Sequence, residues 1–322
     1  MTYPAASILS IDVSPFGRSL ALLPAMKVVR EAYPNAFIAV AASTGICELL
    51  LNAGLVTETI DLGVIKPVGE PSLNRIVRLI RNARRFNFDL VVDFAPRPET
   101  QFLSRLVLRA RTITPSRLPL VIEFFTGGRR PIDERPRDYE SVLRKLGLEA
   151  RVGRVTITSA PEDNARFEEL LSRSGSRGGE PVVVLYSAGG AEAWPLASFG
   201  EIAHRLANNF NARVVAADEP ADRVFTDALE AFLPKTAIKL AMPRAVEVMA
   251  AVARASLLIT DEPNIATVAM GMGTPVIDVV ELSNVVRRQG PGSAPVSGTT
   301  DEVYDEAAEI LQESRSASLF RQ

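Results

Sequence analysis

The sequence predicts an α/β protein of two similar halves, each a parallel sheet flanked by helices, and three observations predict it. Short apolar runs alternate many times with longer segments of helical period, the pattern of strands joined by crossover helices. The alternation occurs twice, on either side of a stretch where periodicity is lost. The length, 322 residues, exceeds what one hydrophobic core usually organises.

In the first half the strand-like runs are SILSI (centred on 8–11), AFIAVAA (36–42), the weaker TETIDL (57–62), DLVVDF (89–94) and RTITP (111–115). Helical period fills the stretches near 18–32, 43–53, 71–86 and 99–110. IEFFTGGRRPIDERPR, around 120–136, gathers Gly, Pro and Arg and reads as a loop or an excursion from the first sheet. DYESVLRKLGLEA resumes a helix, capped at Asp138 and broken near Gly147.

The second half runs through RVTIT (154–158), PVVVLYSAGG (181–190), ARVVAAD (212–218), AIKLA (237–241), SLLITD (256–261) and TPVIDVV (274–280), again separated by helices. SRSGSRGGEP (172–181) is the most linker-like segment of the chain. TDEVYDEAAEILQESR opens with Thr300 and Asp301 as cap candidates and is expected to pack back on the first domain. The domains are therefore expected at 1–155 and 156–299, with 300–322 a terminal helix and tail.

Composition narrows the function classes. The formal charge of −2 leaves no global field to gather nucleic acid or an anionic membrane. The single cysteine, Cys47, excludes an internal disulfide, suits a reducing compartment and reads as a small buried hydrophobe. No apolar run reaches the roughly 18–20 residues of a membrane span, so a cytoplasmic protein is expected. A peripheral membrane contact stays open, because RIVRLIRNARRF gathers Arg75, Arg78, Arg81, Arg84 and Arg85 near one helical face.

Ligands of open α/β sheets bind outside the carboxyl ends of strands, where helix N-termini present amides to anions. Four places meet that condition. Tyr186-Ser187-Ala188-Gly189-Gly190 leaves a buried strand, and its glycines let backbone approach a diphosphate. Thr260-Asp261-Glu262-Pro263-Asn264 opens a helix from Ile265 to Gly273; Asp261 or Asn264 serves as a cap, a phosphate contact, or both. Asp12 and Arg18 flank the first strand-to-helix turn, and Asp93 ends DLVVDF. The only histidine, His204, sits among helical neighbours, which leaves no Ser-His-Asp or histidine-metal arrangement. An acid or base must then be Asp, Glu, Lys or Tyr, with Asp12, Asp93 and Glu262 best placed; neither metal nor cofactor is expected.

From Ile8 to about Val280 the chain resembles the family-nine glycosyltransferases, the heptosyltransferases of lipopolysaccharide core assembly. The likeness rests on ILSIDVSPFGRSLALLPAMKVVREAYPNAFIAVAAS, FDLVVDFAPRPETQFLSRLVLRA, YESVLRKLGLE, SAGGAEAWPLASFGEIAHRL and ASLLITDEPNIATVAMGMGTPVIDVV, in that order. It implies a GT-B fold, two Rossmann-like domains with parallel sheets facing across a cleft. It also implies transfer of a sugar from an ADP-heptose-like donor, with inversion and without a required metal, to a cell-envelope glycan or lipid-linked acceptor. A carboxylate base on the first domain and a lysine near the donor phosphates would carry that chemistry.

The departures fall on those positions. Gly17-Arg18-Ser19 stands where the family reads Gly-Asp-Val, and Glu192-Ala193-Trp194-Pro195 where it reads Lys-Arg-Trp-Pro. Glu262-Pro263-Asn264-Ile265-Ala266-Thr267 replaces Asp-Ser-Gly-Pro-Met-His. Donor contacts are expected from Ser187, Gly189, Gly190, Glu192, Asp261, Glu262, Asn264 and Thr267, and acceptor or base roles from Asp12, Arg18 and Asp93. A catalytically silent binding or scaffolding relative, and an epimerase or hydrolase of nucleotide-sugars, are the alternatives.

Overall fold

The structure is a computed structural model and describes residues 4–65, 73–96, 100, 110–114, 139–148, 161–176, 178–187, 193–220, 223–280, 285–288, 295–297 and 299–319. The chain divides into two compact units, Met1–Val155 and Thr156–Gln322.

In the first unit, β1 (Ser7–Ile11), β2 (Phe37–Ala42), β3 (Glu58–Asp61), β4 (Leu90–Asp93) and β5 (Arg111–Ile113) form a parallel sheet ordered β3-β2-β1-β4-β5. Alternation sorts its side chains between two covered faces. Leu9, Ile11, Ala39, Ala41, Ile60 and Val91 lie in one cluster with Leu79 and Ala83 of α4 (Leu73–Ala83). The short turn α1 (Phe16–Ser19) precedes α2 (Leu22–Ala32), which buries Leu22, Leu23, Ala25, Met26 and Val29. Next comes α3 (Thr44–Asn52), which encloses Cys47. β3 is the weakest run in sequence because it is the sheet edge: Glu58 and Asp61 are exposed and only Ile60 is buried. The helix after the irregular segment is α5 (Tyr139–Lys145), and Gly147 beyond it takes a left-handed φ of 75°.

The second unit opens with α6 (Pro161–Arg173) and repeats the design in β6 (Val182–Tyr186), β7 (Arg213–Ala217), β8 (Ile238–Leu240), β9 (Leu257–Thr260) and β10 (Val276–Val280). The parallel part reads β10-β9-β6-β7-β8, the order of the first sheet with each strand replaced by its counterpart. The sequence reading lacked β11 (Val285–Arg288) and β12 (Pro295–Ser297), which extend this sheet antiparallel beyond β10. These segments are too short for a periodicity signal.

Helix α7 (Leu196–Phe210) buries Phe199, Ile202, Ala203, Leu206 and Phe210, and Asn211 caps it in the left-handed region. Beyond β7 lies α8 (Val224–Leu229), and beyond β8 lies α9 (Ala245–Arg254), with α10 (Pro263–Met272) after β9. The terminal helix α11 (Thr300–Leu319) places Val303, Ala307, Ile310 and Leu311, an i, i+4, i+7, i+8 stripe, in the α7 core. Arg205 of α7 bonds Asp301 at 2.6 Å and lies 3.7 Å over the Tyr304 ring. The apolar stripe of α11 completes the core of the second unit. The anticipated helix at 99–110, the loop at 120–136, the Asp138 cap and the strand at 154–158 lie wholly or mostly outside the described residues.

Gly200 of α7 is held by close approach. A Cβ there would sit 2.4 Å from Phe232 Cβ and 2.7 Å from the Phe232 carbonyl oxygen. Because one obstacle is backbone, Gly200→Ala is expected to lower stability by about 1–3 kcal/mol, read from urea unfolding of the second unit's Trp194 fluorescence.

Candidate functional site

In each sheet the strand order reverses beside the first strand, so the connections on either side leave in opposite directions and the carboxyl ends there stay uncovered. The reversals fall between β1 and β4 and between β6 and β9. Asp12 follows β1 and Asp93 ends β4; Ser187 follows β6 and Asp261 follows β9. Register sets the pairs side by side, Ile11 opposite Asp93 and Tyr186 opposite Thr260.

In the first unit both carboxylates are fully buried and bonded locally. Asp12 accepts from the Ser14 amide at 2.9 Å and from the Ser14 hydroxyl, while Tyr139 Oη donates to its other oxygen at 2.6 Å. Tyr139 also stacks on Phe94, ring centres 5.4 Å apart, tying α5 to the ends of β1 and β4. Asp93 accepts from the Ala95 amide at 3.1 Å and from Thr100 Oγ1 at 2.6 Å. Neither oxygen pair is presented to solvent. Arg18 is half-buried on α1, and among the described residues its guanidinium makes no hydrogen bond or ion pair.

In the second unit Ser187 Oγ donates to Asp261 Oδ2 at 2.8 Å, and the Trp194 amide donates to the same oxygen at 3.0 Å. These bonds join the end of β6, the end of β9 and the entry to α7. Burial pushes the Asp261 carboxyl up to about 7, and the neighbouring Glu262 charge adds to the rise, while the Ser187 and Trp194 donors oppose it. Asp261 thus changes charge near neutrality. Tyr186, wholly buried beneath, is raised well above the ordinary phenol value, first by burial and then by Glu219, Glu262, Asp261 and Asp218.

The cap of α10 is neither Asp261 nor Asn264, the two expected, but Glu262, whose side chain accepts from the Asn264 amide at 3.2 Å and from Asn264 Nδ2 at 2.9 Å. The helix accordingly begins at Pro263, earlier than expected. Proline lacks an N–H and Asn264 spends its own on Glu262, so this helix end already carries an anion and offers a phosphate few free donors. Thr267 Oγ1 donates back to the Pro263 carbonyl at 2.9 Å and is exposed. Gly189, Gly190 and Glu192 lie outside the described residues.

Sequence reading passed over Asp218 and Glu219 at the end of β7, the strand beside β6. Asp218 is consumed by α8, accepting from the Phe225 amide at 2.7 Å, the Thr226 amide at 3.1 Å and the Thr226 hydroxyl. Glu219 is buried at the position from which dinucleotide-binding units address a ribose. The signal was available: an acidic pair closing the second strand of a unit. Among the described residues no group of three or more His, Cys, Asp or Glu is placed to hold a metal ion.

No family model matches the sequence, and no curated protein matches it. Solved structures do. A glycosyl transferase of family 9 from Veillonella parvula superposes with a TM-score of 0.66 at 18% identity, over 87% of this chain and 81% of that one. The E. coli ADP-heptose lipopolysaccharide heptosyltransferase II gives 0.61 at 16% identity, over 96% and 99%. The chain has the GT-B fold. A candidate UDP-N-acetylglucosamine 2-epimerase from Listeria monocytogenes shares that fold at 0.52 and 14% identity, over 97% and 90%. The GT-B likeness agrees with the order of the motifs from Ile8 to Val280 and leaves the activity open, since one fold hosts several chemistries.

Tyr139→Phe removes one of the donors on buried Asp12 and is expected to lower stability by about 1–3 kcal/mol, measured by denaturant unfolding. Asp261 makes a pH-dependent prediction. Its folded value, about 7, lies above the ordinary 3.8, so the unfolded chain releases this proton first as pH rises. Its contribution to stability is therefore full below pH 4 and is lost progressively up to about pH 7. Asp261→Asn should remove that loss, and urea unfolding of the two proteins should diverge in the variant's favour across the interval.

Proposed function

We propose that the protein binds a nucleotide-linked sugar on its second unit and transfers the sugar as a glycosyltransferase of the heptosyltransferase type. The observation that carries the reading is the bonded Ser187–Asp261 pair at the reversal of the second sheet, with Glu219 closing the adjacent strand. Buried carboxylates at strand ends suit hydroxyl groups, which donate to them, better than phosphates. Asp261, Glu262 and Glu219 would accept from sugar and ribose hydroxyls, with Asn264 and Thr267 at the margin. The diphosphate would rest on backbone at Gly189 and Gly190, with Ser187 as a side-chain donor and Glu192 flanking it. The heptosyltransferase neighbours favour an ADP-linked donor and a cell-envelope glycan or lipid-linked acceptor.

Transfer requires a base for the acceptor hydroxyl as the anomeric carbon is attacked and positive charge for the departing diphosphate. Asp12 and Asp93 are the first unit's candidates for the base, and Arg18 would supply the cation. One cysteine and the absence of a helix long and apolar enough to cross a membrane, among the described residues, accord with a cytoplasmic setting.

The burial of Asp12 and Asp93 supports a second reading, a binding protein of the same fold without transfer activity. A nucleotide-release assay with candidate acceptors separates the two. Transfer that survives both Asp12→Asn and Asp93→Asn removes these residues from the base role, and binding without release favours the second reading.

Calorimetry against ADP-, GDP- and UDP-sugars tests the donor site directly. Ionised Asp261 is the stronger acceptor for a donor hydroxyl, so affinity should rise as pH rises through about 7, and Asp261→Asn should flatten that dependence. Glu219→Gln, which weakens one charge-assisted bond to the ribose, should lower affinity about tenfold to a hundredfold. Absence of binding by every nucleotide-sugar at any pH would overturn the reading.

A further inference from the structure

Tyr186 closes β6 just before Ser187, and register seats it between Ala217 of β7 and Thr260 of β9. Two residues beyond those partners come Glu219 and Glu262, both buried at the same end of the sheet and one to either side. Tyr186 is wholly buried, and its hydroxyl has no hydrogen-bond partner among the described residues.

Buried hydroxyls are paired almost without exception. Ser10, Ser43 and Thr114 share the condition, but so short a side chain can turn its hydroxyl onto nearby backbone. The Tyr186 oxygen stands at the end of a rigid ring and cannot. Its partner must come from outside the chain, and the surroundings select that partner's chemistry. A phenol gives one proton and also accepts, whereas Glu219 and Glu262, as carboxylates, only accept. An ammonium would leave the Tyr186 proton unmatched, and a phosphate oxygen would face two carboxylates. A ligand hydroxyl satisfies both sides, accepting from Tyr186 while donating to a carboxylate. The Glu219 and Glu262 charges weigh on the phenol next after burial, in line with their closeness to it.

We propose that Tyr186 is a specificity-determining residue of the donor site, its hydroxyl donating to the same ribose hydroxyl whose proton Glu219 accepts. The inference rests on the nucleotide-sugar reading of the second unit. Glu219 follows the strand from whose end such units address a ribose, which selects the ribose over the transferred sugar. It also stands further along the strand end than Tyr186, so a ribose meets the carboxylate first and the phenol behind it. A nucleotide built on deoxyribose lacks that hydroxyl, and Tyr186 discriminates against it.

Calorimetry of the full chain with ADP, GDP and UDP, each beside its dideoxyribose counterpart, tests the assignment in the parent and in Tyr186→Phe. The variant should lose roughly threefold to tenfold in affinity for the ribonucleotide that binds, the worth of one neutral hydrogen bond, and nothing for its dideoxy counterpart. Urea unfolding of the nucleotide-free protein should place Tyr186→Phe at or above the parent, since the change removes an unpaired buried hydroxyl. Equal losses with both sugars, or no loss with either, overturn the Tyr186 assignment and leave the nucleotide reading standing. So does a less stable variant, which would mean that a buried water or a protein group already serves the hydroxyl. If no nucleotide binds the parent, the reading of the site fails and the inference falls with it.

Discussion

Parallel strands oblige their connections to leave from one end, and wherever strand order reverses that end is left open. This single constraint organises both units. β1 and β4 in the first, and β6 and β9 in the second, finish beside each other with their connections parting. Backbone groups past the last paired residue must still find partners, and side chains supply them. Asp12 and Asp93 do so in the first unit, and Asp261, itself held by Ser187, does so in the second.

The two ends use the same residue type to different effect. Asp12 and Asp93 are surrounded by short donors from Ser14, Tyr139, Ala95 and Thr100, so each charge is compensated where it is buried. Asp261 has two donors on one oxygen and Glu262 as its neighbour, which leaves its ionised form poorly supported and its proton held to near neutrality. Glu262 meanwhile serves the helix beside it. The difference lies in burial, in the donors supplied and in the neighbouring charge, and not in residue identity.

Much of this was legible in sequence. The strand runs SILSI, AFIAVAA, PVVVLY and SLLIT are apolar because central parallel strands are covered on both faces, and β1, β2, β6 and β9 are where they fall. β3 showed weakly, since an edge strand needs only one buried residue in two. β11 and β12 did not show at all, because antiparallel segments of three or four residues depend on a partner already in place. The turns bearing Asp12, Asp93, Ser187 and Asp261 were found from their positions after apolar runs. Their bonding was not, since Tyr139 lies 127 residues from Asp12 and Asp261 lies 74 from Ser187.

Sequence by itself determined the class, the duplication and the places where a ligand of such a fold is met, because burial imposes periodicity locally. Only the tertiary structure decided which carboxylates are occupied. It made Glu262 the cap in place of Asp261 and seated the apolar stripe of the terminal helix in the core of the second unit. Those outcomes depend on donors delivered from distant parts of the chain, and a one-dimensional pattern carries no record of which donors arrive.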